Sequence, residues 1–192
     1  MSKTLTPGKS QGLTLILGGA RSGKSAYAQK LARERGGERV LFVATAQPLD
    51  DEMKTRIEAH RRERPTAWRT LEVTHDVGDA VAQTIWREPD VTLVLVDCLT
   101  LLVSNAVLAL PESASAAEAE ATGLAEVEGI LAAYQRGSAS WIVISNEVGL
   151  GIVPAYPLGR VYRDALGRAN QRLAAEAEEV LFMVAGIPMK VK

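Results

Sequence analysis

The apolar and polar stretches of this chain alternate as short buried strands do when helices separate them. Four runs of strand length are almost wholly apolar: 13–18 (LTLILG), 39–44 (RVLFVA), 91–96 (VTLVLV) and 141–145 (WIVIS). Strands covered on both faces read this way, because neither face has to meet water. The segments between them carry apolar residues at helical spacing. Residues 24–35 place Tyr27, Ala28, Leu31 and Ala32 on one side and stop at Gly36-Gly37. Further helices are expected over 77–86, 100–110, 124–136 and 160–175, another strand over 68–73, and a terminal strand pair, 180–184 and 189–191, around Gly186. Strand, helix, strand in that order implies right-handed crossovers and parallel pairs. Residues 111–122 (PESASAAEAEAT) are small, polar and low in complexity, so they read as a mobile loop. With no internal repeat and no domain boundary, the pattern predicts one α/β domain over 13–192 with a mainly parallel central sheet flanked by helices. Residues 1–12 read as a disordered lead-in.

At the end of the first apolar run stand Gly18, Gly19, Ala20, Arg21, Ser22, Gly23, Lys24 and Ser25, which satisfy G-x-x-x-x-G-K-[ST] in full. Glycines let successive backbone N–H groups wrap a phosphate, and the helix that begins near Lys24 adds its free donors and positive dipole end. Lys24 is expected over the β- and γ-phosphates, and Ser25 on Mg²⁺. This P-loop makes nucleoside triphosphate binding the firm expectation. The run 91–96 ends in Asp97, the expected position of the carboxylate that completes the Mg²⁺ shell. Thr45, Ala46 and Gln47 leave the end of the second strand, where open α/β sheets place ligand loops, and are candidate base or phosphate contacts.

Composition narrows the partners more than the fold. The 192 residues carry a net charge of −1, which gives no general attraction to nucleic acid or to an anionic membrane. The single cysteine, Cys98, cannot form an internal disulfide and reads as a small buried side chain. The first dozen residues lack a signal peptide's apolar segment, and no apolar run approaches the roughly 20 residues of a membrane span, so a cytoplasmic protein is expected.

Residues 50–64 (DDEMKTRIEAHRRER) have acids in the first turn and bases in the last, as the helix dipole favours. Met53 and Ile57 form only a thin apolar stripe, while Glu52, Arg56, His60 and Arg64 follow at i,i+4. Periodicity alone reads this as a solvated, salt-bridged surface helix. Nor does a P-loop choose among kinase, switch GTPase and motor ATPase. No N-K-x-D guanine motif is present, and a small-molecule kinase is the simplest reading of the bare residues.

Several separate segments then carry a resemblance: GGARSGKS, FVATAQPLDDEM, RIEAHRRERPTAW, the strand ending Asp97-Cys98-Leu99-Thr100, SNEVGLGIVP and GRANQRLA. In this order, from Leu13 to the C-terminus, they resemble the bifunctional adenosylcobinamide kinase/adenosylcobinamide-phosphate guanylyltransferases of cobalamin biosynthesis. The resemblance implies a RecA-like P-loop NTPase fold and two reactions using ATP or GTP with Mg²⁺. A nucleoside triphosphate phosphorylates adenosylcobinamide, and the product takes GMP from GTP. It implies that His60 accepts GMP covalently, that Arg61, Arg62, Glu63, Arg64, Glu72 and Asp97, with Thr45, Ala46 and Gln47, lie at the nucleotide, and that the protein is a homo-oligomer, a trimer. The implied chemistry is coherent, since arginines at positions 56 and 64 would disfavour an imidazolium at His60 and leave a ring nitrogen free to attack phosphorus. His75 matches no motif and reads as a loop residue. The alternatives are a single-activity kinase that keeps the histidine helix as structure, and a non-catalytic nucleotide-dependent regulator.

Overall fold

The computed structural model describes residues 11–48 and 51–192, apart from the side chains of Glu52, Arg56, Ala59, His60 and Glu63. The expected lead-in lies outside the described residues up to position 10. Gln11 and Gly12, however, are already joined to the fold: Gln11 Nε2 donates to Tyr134 O, and Gly12 O accepts from Trp141 N at 2.8 Å.

Strands and helices alternate through most of the chain: β1 (Leu13–Gly18), α1 (Lys24–Gly36), β2 (Val40–Ala44), α2 (Asp51–Glu63), β3 (Arg69–Glu72), α3 (Val77–Arg87) and β4 (Leu93–Asp97) come first. Then follow α4 (Leu99–Leu108), α5 (Ala116–Arg136), β5 (Ser140–Ile144), α6 (Pro157–Glu176), β6 (Glu179–Val184) and β7 (Ile187–Lys190). The strands form one sheet in the order β3-β2-β4-β5-β1-β6-β7. All neighbours are parallel except β6 and β7. That hairpin turns through Ala185 and Gly186, both at positive φ (50° and 83°), as a two-residue type I′ turn requires.

Because strand side chains point to alternate faces, each apolar run supplies two cores. Leu13, Leu15, Leu41, Val43, Val94, Val96, Trp141 and Val143 pack toward α3, α4, α5 and α6. Ile16, Phe42, Leu93, Leu95, Ile142 and Ile144 pack against Ala28, Leu31 and Ala32 of α1. The parallel strands β1 to β5 all end at one edge of the sheet, and the segments leaving them there are the P-loop and residues 45–48, 73–76, 97–98 and 145–156.

Two expectations are corrected. Residues 116–122 are helical rather than a loop, because Ser115 and Glu118 form a reciprocal capping box that starts α5 about two turns earlier: Ser115 N donates to Glu118 Oε2 at 2.7 Å, and Glu118 N to Ser115 Oγ at 3.2 Å. Helix α6 begins at Pro157 rather than Arg160, the ring being preset for the first helical position.

Candidate functional site

The P-loop runs between β1 and α1, and its backbone takes conformations that glycine makes possible. Gly18 and Gly23 sit at φ 155° and 92°, and a Cβ on Gly18 would lie 2.7 Å from both Met183 O and Ser22 Oγ. Lys24, only 7% exposed, folds back over the loop and donates to Gly18 O at 2.9 Å and Gly19 O at 2.6 Å. Gly186 N donates to Ser22 O at 2.9 Å, so the β6–β7 turn braces the far side. The result is a tight backbone turn around a cationic side chain at the start of a helix, a form whose N–H groups can take phosphate oxygens. Ala20 and Arg21 form its exposed rim.

Two strands away, Asp97 ends β4, in register with Ala44 of β2 and Ile144 of β5. Ser25 occupies the first turn of α1. A hydroxyl and a carboxylate are hard oxygen donors of the kind Mg²⁺ takes in ones and twos beside substrate phosphates and water, so this donor set fits the ion. Thr45 is fully buried, and its hydroxyl is occupied: Oγ1 donates to Cys98 O at 2.7 Å and accepts from Cys98 N at 2.8 Å. Asn105 Nδ2 donates to Thr45 O at 2.9 Å and to Thr74 O at 3.2 Å. The Thr45 side chain therefore braces the strand ends, whereas Ala46 and Gln47 are partly exposed. Burial pushes the Cys98 thiol up to about 11, so it remains protonated at neutral pH.

Helix α2 ends at Glu63, and the chain turns there through an Arg64 N to Arg61 O hydrogen bond of 3.3 Å. Arg64 is thus no i,i+4 helical neighbour of position 60, as the sequence suggested. Its guanidinium swings inward to stack 3.8 Å from the Phe42 ring centre, with Nε and Nη1 buried and unpartnered among the described residues. Burial lowers its pKa, opposed by the nearby negative charges of Asp97 and Glu72. Arg61, by contrast, is exposed and pairs with Glu72, Nε lying 3.0 Å from Oε1. Arg61, Arg64, Trp68, Thr70 and Glu72 line a cleft of about 590 Å³ on the α1 side of the sheet. Arg62 points to solvent, 3.7 Å from Glu58. The side chains of His60 and Glu63 lie outside the described residues, and His75 sits in the bend before α3.

A second cleft, of about 650 Å³, opens on the other side of the sheet beside Leu17, between the start of α5, the middle of α6 and the segment after β5. Sequence reasoning gave its residues Glu147 and Asn170 no role. The signal available was Asn146-Glu147 leaving the end of a buried strand next to the P-loop strand.

The protein-family model described as cobinamide kinase / cobinamide phosphate guanyltransferase matches residues 14–191. The bifunctional adenosylcobalamin biosynthesis protein CobU of Salmonella typhimurium is 42% identical over 185 residues, spanning 94% of this chain and 99% of that protein. The protein CobP of Pseudomonas aeruginosa, described in the same words, is 44% identical over 179 residues, spanning 93% and 96%. Among solved structures, an ATPase domain superposes with a TM-score of 0.54 at 13% identity, over 90% of this chain and 69% of that one, a likeness of fold alone.

Proposed function

The chain belongs to the cobinamide kinase / cobinamide phosphate guanyltransferase family, and on that premise we propose that it phosphorylates adenosylcobinamide at the P-loop and then passes GMP from GTP through His60 to the product. In the first reaction the P-loop amides and Lys24 hold the β- and γ-phosphates, while the substrate hydroxyl attacks the γ-phosphorus and a nucleoside diphosphate leaves. Ser25 and Asp97 would hold Mg²⁺, which when bound would neutralise phosphate charge. ATP and GTP both fit this backbone-based recognition.

In the second reaction a neutral ring nitrogen of His60 attacks the α-phosphorus of GTP, and the bond to the β-phosphate oxygen breaks to release pyrophosphate. The phosphate of adenosylcobinamide phosphate then displaces the histidine and yields adenosylcobinamide-GDP. Arg61, Arg62, Glu63, Arg64 and Glu72, with Ala46, Gln47 and the strand-end brace Thr45, surround the nucleotide.

One observation carries the choice of α2 and its turn as nucleotide machinery rather than a solvated helix. Arg64 is withdrawn from water over Phe42 with two donors left over, so that the cation–π contact leaves part of its hydrogen-bonding capacity unused until an anion arrives. We further propose a homo-oligomer, a trimer, with α2 directed toward a neighbouring subunit. Met53 and Ile57 are only partly covered, and edge strand β7 exposes Ile187 and Met189 at 66% and 55%.

The test of the two activities is product analysis. Adenosylcobinamide with ATP or GTP should yield its phosphate, and added GTP should convert this to the GDP-linked corrinoid with release of pyrophosphate. Nucleotide binding without either product would refute the reading.

A further inference from the structure

We propose that the cleft between α5, α6 and residues 145–149 is the docking site of the amide-bearing corrinoid acceptor, with Glu147 taking the proton from its hydroxyl. This rests on the kinase reading above and deepens it by assigning the acceptor a place.

The segment after β5 is fixed against the P-loop from several directions. Ser145 N donates to Ile16 O at 2.9 Å, Glu147 N donates to Gly18 O at 3.1 Å, and Asn146 N donates to Thr100 Oγ1 at 2.7 Å. From the α6 side, Asn170 Nδ2 donates to Asn146 O at 3.1 Å. Glu147 therefore starts from a backbone bonded to the P-loop's first glycine while its side chain lines the cleft. A γ-phosphate bound by the loop and a ligand in the cleft would meet at this residue.

The chemistry of the walls selects the ligand class. Three carboxylates, of Glu120, Glu147 and Asp164, face two guanidinium groups, of Arg163 and Arg168. Those guanidinium groups are engaged within the wall: Arg163 Nη2 lies 3.0 Å from Asp164 Oδ1, and Arg168 Nε 3.6 Å from Glu120 Oε1. A second nucleotide would meet an excess of negative charge here. A ligand studded with carboxamides instead finds paired donors and acceptors, including Gln171 and Asn170. Asn170 is 6% exposed, and its Oδ1 has no partner among the described residues, a buried acceptor that an unaided fold leaves at a cost.

Gly167 adds an independent pointer. A glycine inside a helix is less favourable than alanine, yet among the described residues a Cβ at this position would meet nothing within 4 Å. No packing requirement in the fold explains its smallness. A ligand lying close along this helix face does. Beyond Gly149 at the lip, Leu150 and Ile152 are 80% and 97% exposed, an apolar strip of the kind a corrin ring face can cover.

In the step, the acceptor hydroxyl oxygen forms a bond to the γ-phosphorus. The bond from that phosphorus to the β,γ-bridging oxygen breaks, and the nucleoside diphosphate departs with that electron pair. The hydroxyl proton passes to the Glu147 carboxylate and from there to water.

Two variants test the assignment. Gly167→Leu fills the cleft from a position with room for it and raises helix propensity, so a melting temperature near wild type is expected. It should raise KM for cobinamide at least tenfold and weaken direct corrinoid binding, followed by the visible absorption of the corrinoid, while the Kd for GTP stays within twofold. Glu147→Gln keeps an oxygen for its 2.5 Å bond from Gly149 N. It should lower the kinase kcat by about 10²-fold, the general-base range, with little change in either KM. If wild type phosphorylates cobinamide and Gly167→Leu does so with unchanged KM, the cleft assignment is overturned. A Glu147→Gln kcat within twofold of wild type overturns the proton-acceptor role. Should wild type bind cobinamide without phosphorylating it, and Gly167→Leu abolish that binding, the cleft stands and the reaction reading falls. Wild type that neither binds nor phosphorylates cobinamide removes both.

Discussion

Replacing Arg64 by methionine separates what that residue does for the fold from what it does for a ligand. Methionine keeps an apolar stem of similar reach over Phe42 and removes only the guanidinium. The fold loses a cation–π contact of about 0.5–2 kcal/mol, seen here at 3.8 Å from the ring centre. It also escapes the burial of a charge, the effect that depresses the Arg64 pKa. The two oppose each other, and the net change in stability should stay within about 1 kcal/mol, or roughly 2–4 °C in Tm for a chain of this size. Binding has no such compensation. The donors Nε and Nη1 are already desolvated and unpartnered among the described residues, so a charge-assisted contact to phosphate should appear nearly in full, at about 1.5–3 kcal/mol. At about 1.4 kcal/mol per decade this is a rise of roughly 10- to 150-fold in the Kd for GTP. Isothermal titration with GTP, paired with a thermal melt, measures both quantities. A Kd within twofold of wild type would refute the reasoning, and so would a large fall in Tm accounting for weaker binding.

Three other outcomes are expected. Lys24→Ala should lower kinase turnover by 10²-fold or more, because catalysis here is positioning and charge stabilisation, and steady-state rates with cobinamide will show it. Cys98, its thiol pushed up to about 11, should react with iodoacetamide very slowly at neutral pH, at a rate that keeps rising with pH as thiolate forms and levels off only above about 11; rapid alkylation at pH 7, or a plateau reached by about pH 9, would contradict that upward shift. Light scattering at working concentrations should give the mass of an oligomer, a trimer of the 20.6 kDa chain, and a monomeric mass would remove the shared-subunit proposal.

The strands were legible because burial on both faces leaves a nearly unbroken apolar run, and β1, β2, β4 and β5 begin and end within two residues of where those runs do. The P-loop was legible because its glycines are dictated by backbone approach to phosphate. The start of α5 was misread for a local reason. Small residues looked like a loop, although Ser115 and Glu118 stood at capping-box spacing. Arg64 shows a different limit. Helical periodicity placed it on a solvated line, whereas its position follows from the helix ending at Glu63 and from an aromatic ring on β2, two facts of tertiary structure. The cleft beside α6 was hidden for the same kind of reason, since its walls come from separate stretches of the chain that only the strand order brings together.

The central claim is that GMP rides on His60, and self-labelling tests it most directly. Protein incubated with Mg²⁺ and GTP labelled at the α-phosphate, without any corrinoid, should acquire GMP that survives denaturation, is stable to base and is lost in acid, as a phosphoramidate would be. His60→Ala and His60→Asn should acquire none, yet should still phosphorylate adenosylcobinamide, since transfer of a γ-phosphoryl group to a hydroxyl needs no protein nucleophile. Base-stable label on either variant at wild-type yield would contradict the account and return α2 to the role of a solvated surface helix.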